Sequence, residues 1–257
     1  MASGNQYFWD FFRLSVIADF KAGAAKNRLG YMWWVIEPMM MMAVFYFVFG
    51  LLLQRGGPGY IYDLLVGVTL WTWFSNTVTR TMQSLERSSG LLQQVYVPKF
   101  LLPLVTVVSE FLKSIALVLL LLVVLALGKG IAPSWSLLPI LLALQLLLAA
   151  ACGVFVAVFL PFIHDVKFLV QMGLRVAMFT SGVFYRIDEA VPEEYRQYLL
   201  LNPLASLIAE FRQVLVEGAT PDWGWLAYVC GFSSVFLIFG LLLLVKYDRY
   251  YPRLLVK

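Results

Sequence analysis

Six long apolar stretches leave this chain little choice but a helical bundle in a lipid bilayer. They run at about Trp33 to Leu53, Ile61 to Thr79, Leu101 to Leu127, Leu137 to Leu160, Phe168 to Val183 and Trp223 to Val245, the fifth being the shortest. A helix needs about 20 mostly apolar residues to cross, and in hydrocarbon a crossing segment must satisfy its own backbone polar groups, as a helix does. The 257 residues are 61% hydrophobic and 13% charged, against roughly 25% charged in a soluble domain. What six crossings leave over serves ends and loops, with no room for a second globular domain. The expected fold is therefore an all-α membrane protein, one transmembrane unit over residues 1–257 with six transmembrane helices.

The basic residues set the orientation. With the first residue on the cytoplasmic side, that side receives Arg13, Lys21, Lys26, Arg28, Arg80, Arg87, Lys99, Lys167, Lys246, Arg249, Arg253 and Lys257, which is twelve, whereas Arg55, Lys129, Arg186, Arg196 and Arg212 make five outside. This agrees with the positive-inside rule and predicts both ends in the cytoplasm. No dense basic run suggests nucleic acid. The first long apolar run begins only near Trp33, so no cleavable signal peptide is expected. Cys152 and Cys230 lie inside apolar stretches and read as small buried hydrophobes rather than a disulfide or metal pair.

Three segments between or before the spans carry patterns of their own. Within residues 1–32, Phe8, Phe12, Val16 and Phe20 recur every fourth position, as on a helix lying in the bilayer interface, although Asp19 interrupts that face; the alternative is a soluble lead-in with scattered aromatics. In residues 184–222, Asn202 is a good N-cap, Pro203 fits the first helical position and Gly218 can end the helix, with Leu204, Leu207, Ile208, Phe211 and Leu215 on one stripe and Glu210, Arg212 and Gln213 off it. A shorter helix can begin at Pro192, with Glu193 and Glu194 in its positive first turn. Together these predict a paired helical cap on the outer side. Between the second and third spans, Glu86, Arg87 and Lys99 mix with Leu91, Leu92, Val95 and Tyr96 between Ser84 and Pro103. So many apolar residues fit a docking surface for a cytoplasmic protein better than a solvated loop.

Charges inside the apolar stretches need a reason, since each costs at least about 2.5 kcal/mol at the bilayer centre. Arg175 faces either a wet cavity holding an anionic cargo group or a structural partner on another span. Glu110 and Lys113, one turn apart, read as a mutual pair reaching toward the interface. Glu37, Trp33 and Trp34 stand where the first span meets the membrane. Aromatic residues make up 16% of the chain; they serve as belts and packing, and their faces also stack on sugar rings.

A catalytic set is hard to assemble. His164 is the only histidine, beside Asp165 in a short loop, and no nucleophile groups with it. The string Gly128, Lys129, Gly130 lacks the hydroxyl of a phosphate-binding loop. ATP hydrolysis by that route is excluded, so active transport would draw on a partner or an ion gradient, and nothing resembles a selectivity filter.

Several strings in order resemble the type-2 ABC exporters of capsular polysaccharide, O-antigen and teichoic acid. They are Leu29-Gly30-Tyr31-Met32-Trp33-Trp34-Val35-Ile36-Glu37-Pro38, then Val95-Tyr96-Val97-Pro98-Lys99-Phe100-Leu101-Leu102-Pro103, His164-Asp165-Val166, Ser181-Gly182-Val183-Phe184-Tyr185, and Leu201-Asn202-Pro203-Leu204 through Phe211-Arg212. Arg186, Asp188 and Glu189 stand where many members have proline after Phe-Tyr, which looks closer to the capsule branch. The resemblance implies a permease in the bacterial inner membrane, a homodimer bound to two cytoplasmic ABC ATPase subunits. These would hold the ATP and magnesium, with no cofactor in this chain. The cargo would be a lipid-linked polysaccharide, with periplasmic and outer-membrane export proteins further along the route. It also implies that residues 84–100 form a coupling helix, with Glu86, Arg87, Leu91, Tyr96, Pro98 and Lys99 toward the ATPase. Asn202, Pro203, Phe211 and Arg212 belong to external gate helices. Arg175, Phe184, Tyr185, Arg186, Trp33 and Trp34 are candidates for the cargo path. An ABC-2 exporter of drugs or lipids is the alternative within the class, and a membrane-embedded transferase acting on lipid-linked sugars is the alternative outside it.

Overall fold

A computed structural model describes residues 4–25, 30–52, 59–90, 97–248 and 250–251. Among them every regular element is helical. Helix α1 is Gly4–Ala25; a 3-10 turn, Gly30–Met32, leads into α2, Trp33–Phe45, which continues as a π turn, Tyr46–Leu52. Then come α3, Tyr60–Met82; α4, Ser84–Arg87; α5, Leu101–Lys129; α6, Leu138–Phe159; and α7, Val166–Thr180. The segment after α7 folds as α8, Ile187–Ala190, α9, Glu193–Leu200, and α10, Pro203–Arg212, whose last turn widens over Gln213–Glu217. Helix α11 is Trp223–Lys246.

Four segments are long and apolar enough to cross a membrane: Val35–Leu52, Leu101–Lys129, Pro133–Phe159 and Trp223–Lys246. The bent pair Glu193–Leu200 and Pro203–Glu217 passes the same test only if counted as one span, yet its two halves meet at 108°. So sharp a bend turns the pair back on itself instead of carrying it through about 30 Å of hydrocarbon.

The expected second and fifth spans differ from the others for physical reasons. Helix α3 has 23 residues, enough to cross, but carries Asp63, Thr69, Thr72, Ser75, Asn76, Thr77 and Arg80. Neighbours enclose its first half, where Asp63 through Trp71 are buried without interruption, while Thr72, Asn76 and Arg80 line a cleft beside Trp33 and Glu37. A helix surrounded by protein does not need an apolar face toward lipid. Helix α7 has only 15 residues. The apolar run to Val183 suggests a longer helix, but the helix stops at Thr180, and Ser181, Gly182 and Val183 form a buried turn.

The main core wraps α3. Leu64, Leu70, Leu121, Leu125, Leu141, Leu148, Phe211 and Val214 join α3, α5, α6 and α10 in one apolar cluster. Gln145 of α6, fully buried, donates to the Leu70 carbonyl at 3.0 Å and so ties α6 to the backbone of α3. A second cluster, Leu85, Val97, Leu101, Leu102, Val154, Val158, Leu244 and Tyr251, closes the end that carries α4.

Helix α1 docks on α5 through buried Val16, whose carbonyl lies 3.4 Å from the Ser109 hydroxyl. Asp19, which interrupts the apolar repeat, pairs with Lys113 of α5 at 3.3 Å. It belongs to the docking face.

Candidate functional site

Three places on the bundle bring the sequence candidates together. At the end carrying α8 to α10, Arg212 is the organiser. Lying off the apolar stripe of α10, it is nonetheless 4% exposed. Its Nε and Nη2 donate to the Asp63 carbonyl at 3.1 and 3.0 Å, Nη2 also to the Val183 carbonyl at 3.0 Å, and Nη1 to the Tyr185 carbonyl at 2.8 Å. A turn such as 181–186, buried between helices, leaves carbonyls without helical partners. A planar fork of donors satisfies several of them at once, and the Asp63 carboxylate 3.9 Å from Nε offsets the charge. Burial nonetheless works against that charge and lowers the Arg212 pKa to about 10.

The same turn is fixed on its other sides. The Tyr60 hydroxyl donates to the Phe184 carbonyl at 2.8 Å. The Phe184 ring is buried against Phe45, Phe49 and Phe179 at centroid distances of 4.0, 5.7 and 5.6 Å. Phe184 therefore packs the first span onto α7 and does not line an open passage, contrary to its expected place on the cargo path. The half-buried Tyr185 donates to the Phe179 carbonyl at 3.0 Å. Arg186 meets Asp63, Asp188 and Glu189 at 3.6, 3.2 and 3.4 Å and also Glu217. Burial opposes its charge, but the bonds to Glu217 and Asp188 outweigh that and raise its pKa.

Asn202 caps α10 as its sequence suggests. Its Oδ1 accepts from the Leu204 amide at 3.1 Å, and its Nδ2 donates to the Ser181 hydroxyl at 2.8 Å. Pro203 occupies the first turn, and Phe211 is buried in the main core. Beside them opens a cleft of about 400 Å³ lined by Arg186, Asp188, Arg196, Glu210, Asp222 and Trp225. Burial drives the Glu210 pKa up to about 7, although the Asp222 amide donates to its Oε2 at 2.8 Å.

In the middle of the bundle, Arg175 is exposed on α7 on a face shared with Phe168, Met172, Val176 and Phe179, exposed by 54 to 67%. It has no hydrogen bond or ion pair among the described residues, so the structural-partner alternative finds no support within one chain. Glu110 and Lys113 do pair, at 2.6 Å; both are buried, and Arg80 and Asp19 complete a four-charge network at 3.3 Å each. The network borders a cleft of about 130 Å³ lined by Trp33, Glu37, Asn76 and Trp73, whose buried indole nitrogen has no partner among the described residues. The Trp34 side chain lies outside the described residues.

At the other end, α4 presents Glu86 and Arg87. Arg87 donates to Gln83 at 2.8 Å, and Glu86 lies 3.7 Å from His164, so the segments after α3 and after α6 meet there. Lys99, expected to face a partner, is instead buried at 3% and paired with Asp248 at 3.6 Å, since the turn at Pro98 points it into the second core. Pro98 is half-buried. Leu91 and Tyr96 lie outside the described residues. Of the cysteines, Cys152 is largely enclosed, while Cys230 is exposed on α11, contrary to expectation. The residues that sequence reasoning missed are Asp63, Gly67, Asp248 and Tyr251. A glycine inside a helical run was the one available signal.

Comparison with known proteins gives the family. The family profile described as ABC-2 type transporter matches residues 12–216. The chain is 24% identical over 244 residues to an O-antigen export system permease protein RfbA of Klebsiella pneumoniae, covering 93% of each chain. It is 28% identical over 222 residues to the RfbA of Myxococcus xanthus, covering 85% of each. It is 26% identical over 236 residues to the polysialic acid transport protein KpsM of Escherichia coli, covering 88% of this chain and 89% of that one.

Proposed function

Because this chain belongs to the ABC-2 type transporter family, we propose that it is the permease subunit of an ATP-driven exporter moving lipid-linked polysaccharide, capsule or O-antigen, across the bacterial inner membrane. The observation that carries this reading is the exposed apolar face of α7 with Arg175 in its middle. A cation there cannot stand against hydrocarbon without a cost of at least about 2.5 kcal/mol, so the face suits a second copy with a wet passage between the two. Relatives named for O-antigen and polysialic acid transport supply the cargo class.

In this reading α2, α3, α5, α6, α7 and α11 cross with both chain ends in the cytoplasm. At about 22 Å, α7 is short for a crossing, and the buried turn at 181–186 completes its path. Helices α9 and α10 form the outer gate, held by Arg212 and Arg186. Arg175 and Tyr185 line the cargo path, with Trp33 at its inner mouth. Two ABC ATPase subunits bind the face around Glu86 and Arg87 and hold ATP and magnesium. The chain itself performs no chemistry.

Depleting the chain in its own cells tests the proposal: unexported, lipid-linked polymer accumulates inside and returns to the surface when the chain is restored. Normal surface polymer, with altered drug or lipid efflux, would move the cargo to the alternative class. Conversion of a lipid-linked sugar by the purified chain alone would make it a transferase.

A further inference from the structure

Just after α11, Asp248 and Tyr251 pack against the segment expected to meet the ATPase. The Asp248 carboxylate accepts from the Lys99 backbone amide at 3.1 Å, and its other oxygen lies 3.6 Å from the Lys99 ammonium. Three residues on, Tyr251 is fully buried, with its ring 5.5 Å from that of Phe162 and its hydroxyl 3.3 Å from the Val158 carbonyl of α6. Around it, Leu85 of α4 and Val97 and Leu101 beside Lys99 pack with Val158 of α6 and Leu244 of α11. A buried tyrosine with both ring and hydroxyl engaged, next to a charge pair that also holds a backbone amide, fixes position as well as adding area.

The far end of the same helix is tied to the outer cap. Helix α11 is capped by Asp222, whose amide donates to Glu210 of α10 at 2.8 Å, and Leu226 and Val229 are buried in the main core with Leu207 and Phe211 of α10. Its 24 residues form one unbroken helix about 36 Å long. The 97–102 segment and α10 thus hold opposite ends of one rod.

We propose that Asp248 and Tyr251 are positioning residues that fasten the coupling segment to α11, so that movement at the cytoplasmic face reaches the outer helix α10 through α11. This rests on the exporter reading above.

The test uses the full transporter with its ATPase in nanodiscs and follows hydrogen exchange over 203–217 with and without ATP plus vanadate, a readout that needs no cargo. Wild type should show an ATP-driven change there. In Asp248→Ala the change should fall about tenfold, the scale of one charge-assisted hydrogen bond, while ATP hydrolysis and assembly persist. Asp248→Asn keeps an acceptor for the Lys99 amide but not the charge, so it should recover part of the change. Tyr251→Phe, lacking only the bond to Val158, should fall between wild type and Asp248→Ala. A full ATP-driven change in Asp248→Ala overturns the proposal. So does failure of both Asp248 variants to assemble, which makes the tail a folding element only. No change in wild type brings down the exporter reading first, and this inference with it.

Discussion

Gly67 of α3 lies so close to the turn after α7 that a Cβ there would stand 2.3 Å from the Val183 carbonyl oxygen and 2.9 Å from Nη2 of Arg212. The absent side chain is what lets Arg212 reach the carbonyls of Asp63 and Val183 together. Gly67→Ala should therefore cost about 1 to 3 kcal/mol, the range for overpacking a filled core. A thermal midpoint unchanged from wild type in detergent would show that the turn can move aside.

Arg212 and its lysine variant separate charge from geometry. Arg212→Ala leaves three carbonyls short of donors and should lower stability by roughly 3 to 5 kcal/mol, as when one partner of a buried charge pair is removed. Arg212→Lys keeps the charge yet loses the planar fork, and should fall between. Equal stability of the lysine variant and wild type would mean that the fork is not needed.

Two cations of the 84–100 segment should behave differently because one is buried. Arg87→Glu changes the accessible face of α4 and should weaken co-purification with the ATPase while the chain still folds. Lys99→Glu puts a carboxylate against Asp248 in the second core and should lower the yield of folded chain. If Lys99→Glu folds normally and only Arg87→Glu misfolds, the assignment of the two faces is reversed.

Glu210 gives the α8–α10 segment a pH dependence with a definite sign. Its folded pKa is about 7 against an ordinary 4.5, so between these values the folded chain keeps a proton that the unfolded chain releases. Stability from this site is greatest below about 4.5, declines as pH rises toward 7, and is level above that. Glu210→Gln should flatten this slope; thermal midpoints of the two proteins between about pH 5 and pH 8 are the measurement, and parallel curves would assign the slope to another group.

Arg175→Ala should leave dimer and ATPase assembly intact while surface polymer falls, because the residue has no partner among the described residues to lose. Arg175→Glu should fall further if the cargo is anionic at that point. A chain that loses assembly in both variants would make Arg175 an interface residue between copies.

The order of apolar stretches was enough to predict a helical membrane protein, because hydrocarbon leaves the backbone no other local solution and the charges between stretches have nowhere else to lie. Local chemistry also predicted α10 from Asn202 and Pro203 through to Gly218, since a cap, a first-turn proline and a left-handed terminator act on neighbours in sequence. Long-range pairing is another matter. Arg212 reads as a residue off the apolar stripe of its helix and Lys99 as one that faces a partner, yet both are buried where Asp63 and Asp248, each 149 residues away, bring oxygens to them. Periodicity reports which side of a helix a residue occupies, not what stands opposite. Only the packed bundle decides whether a charge there meets solvent, a carbonyl or a carboxylate.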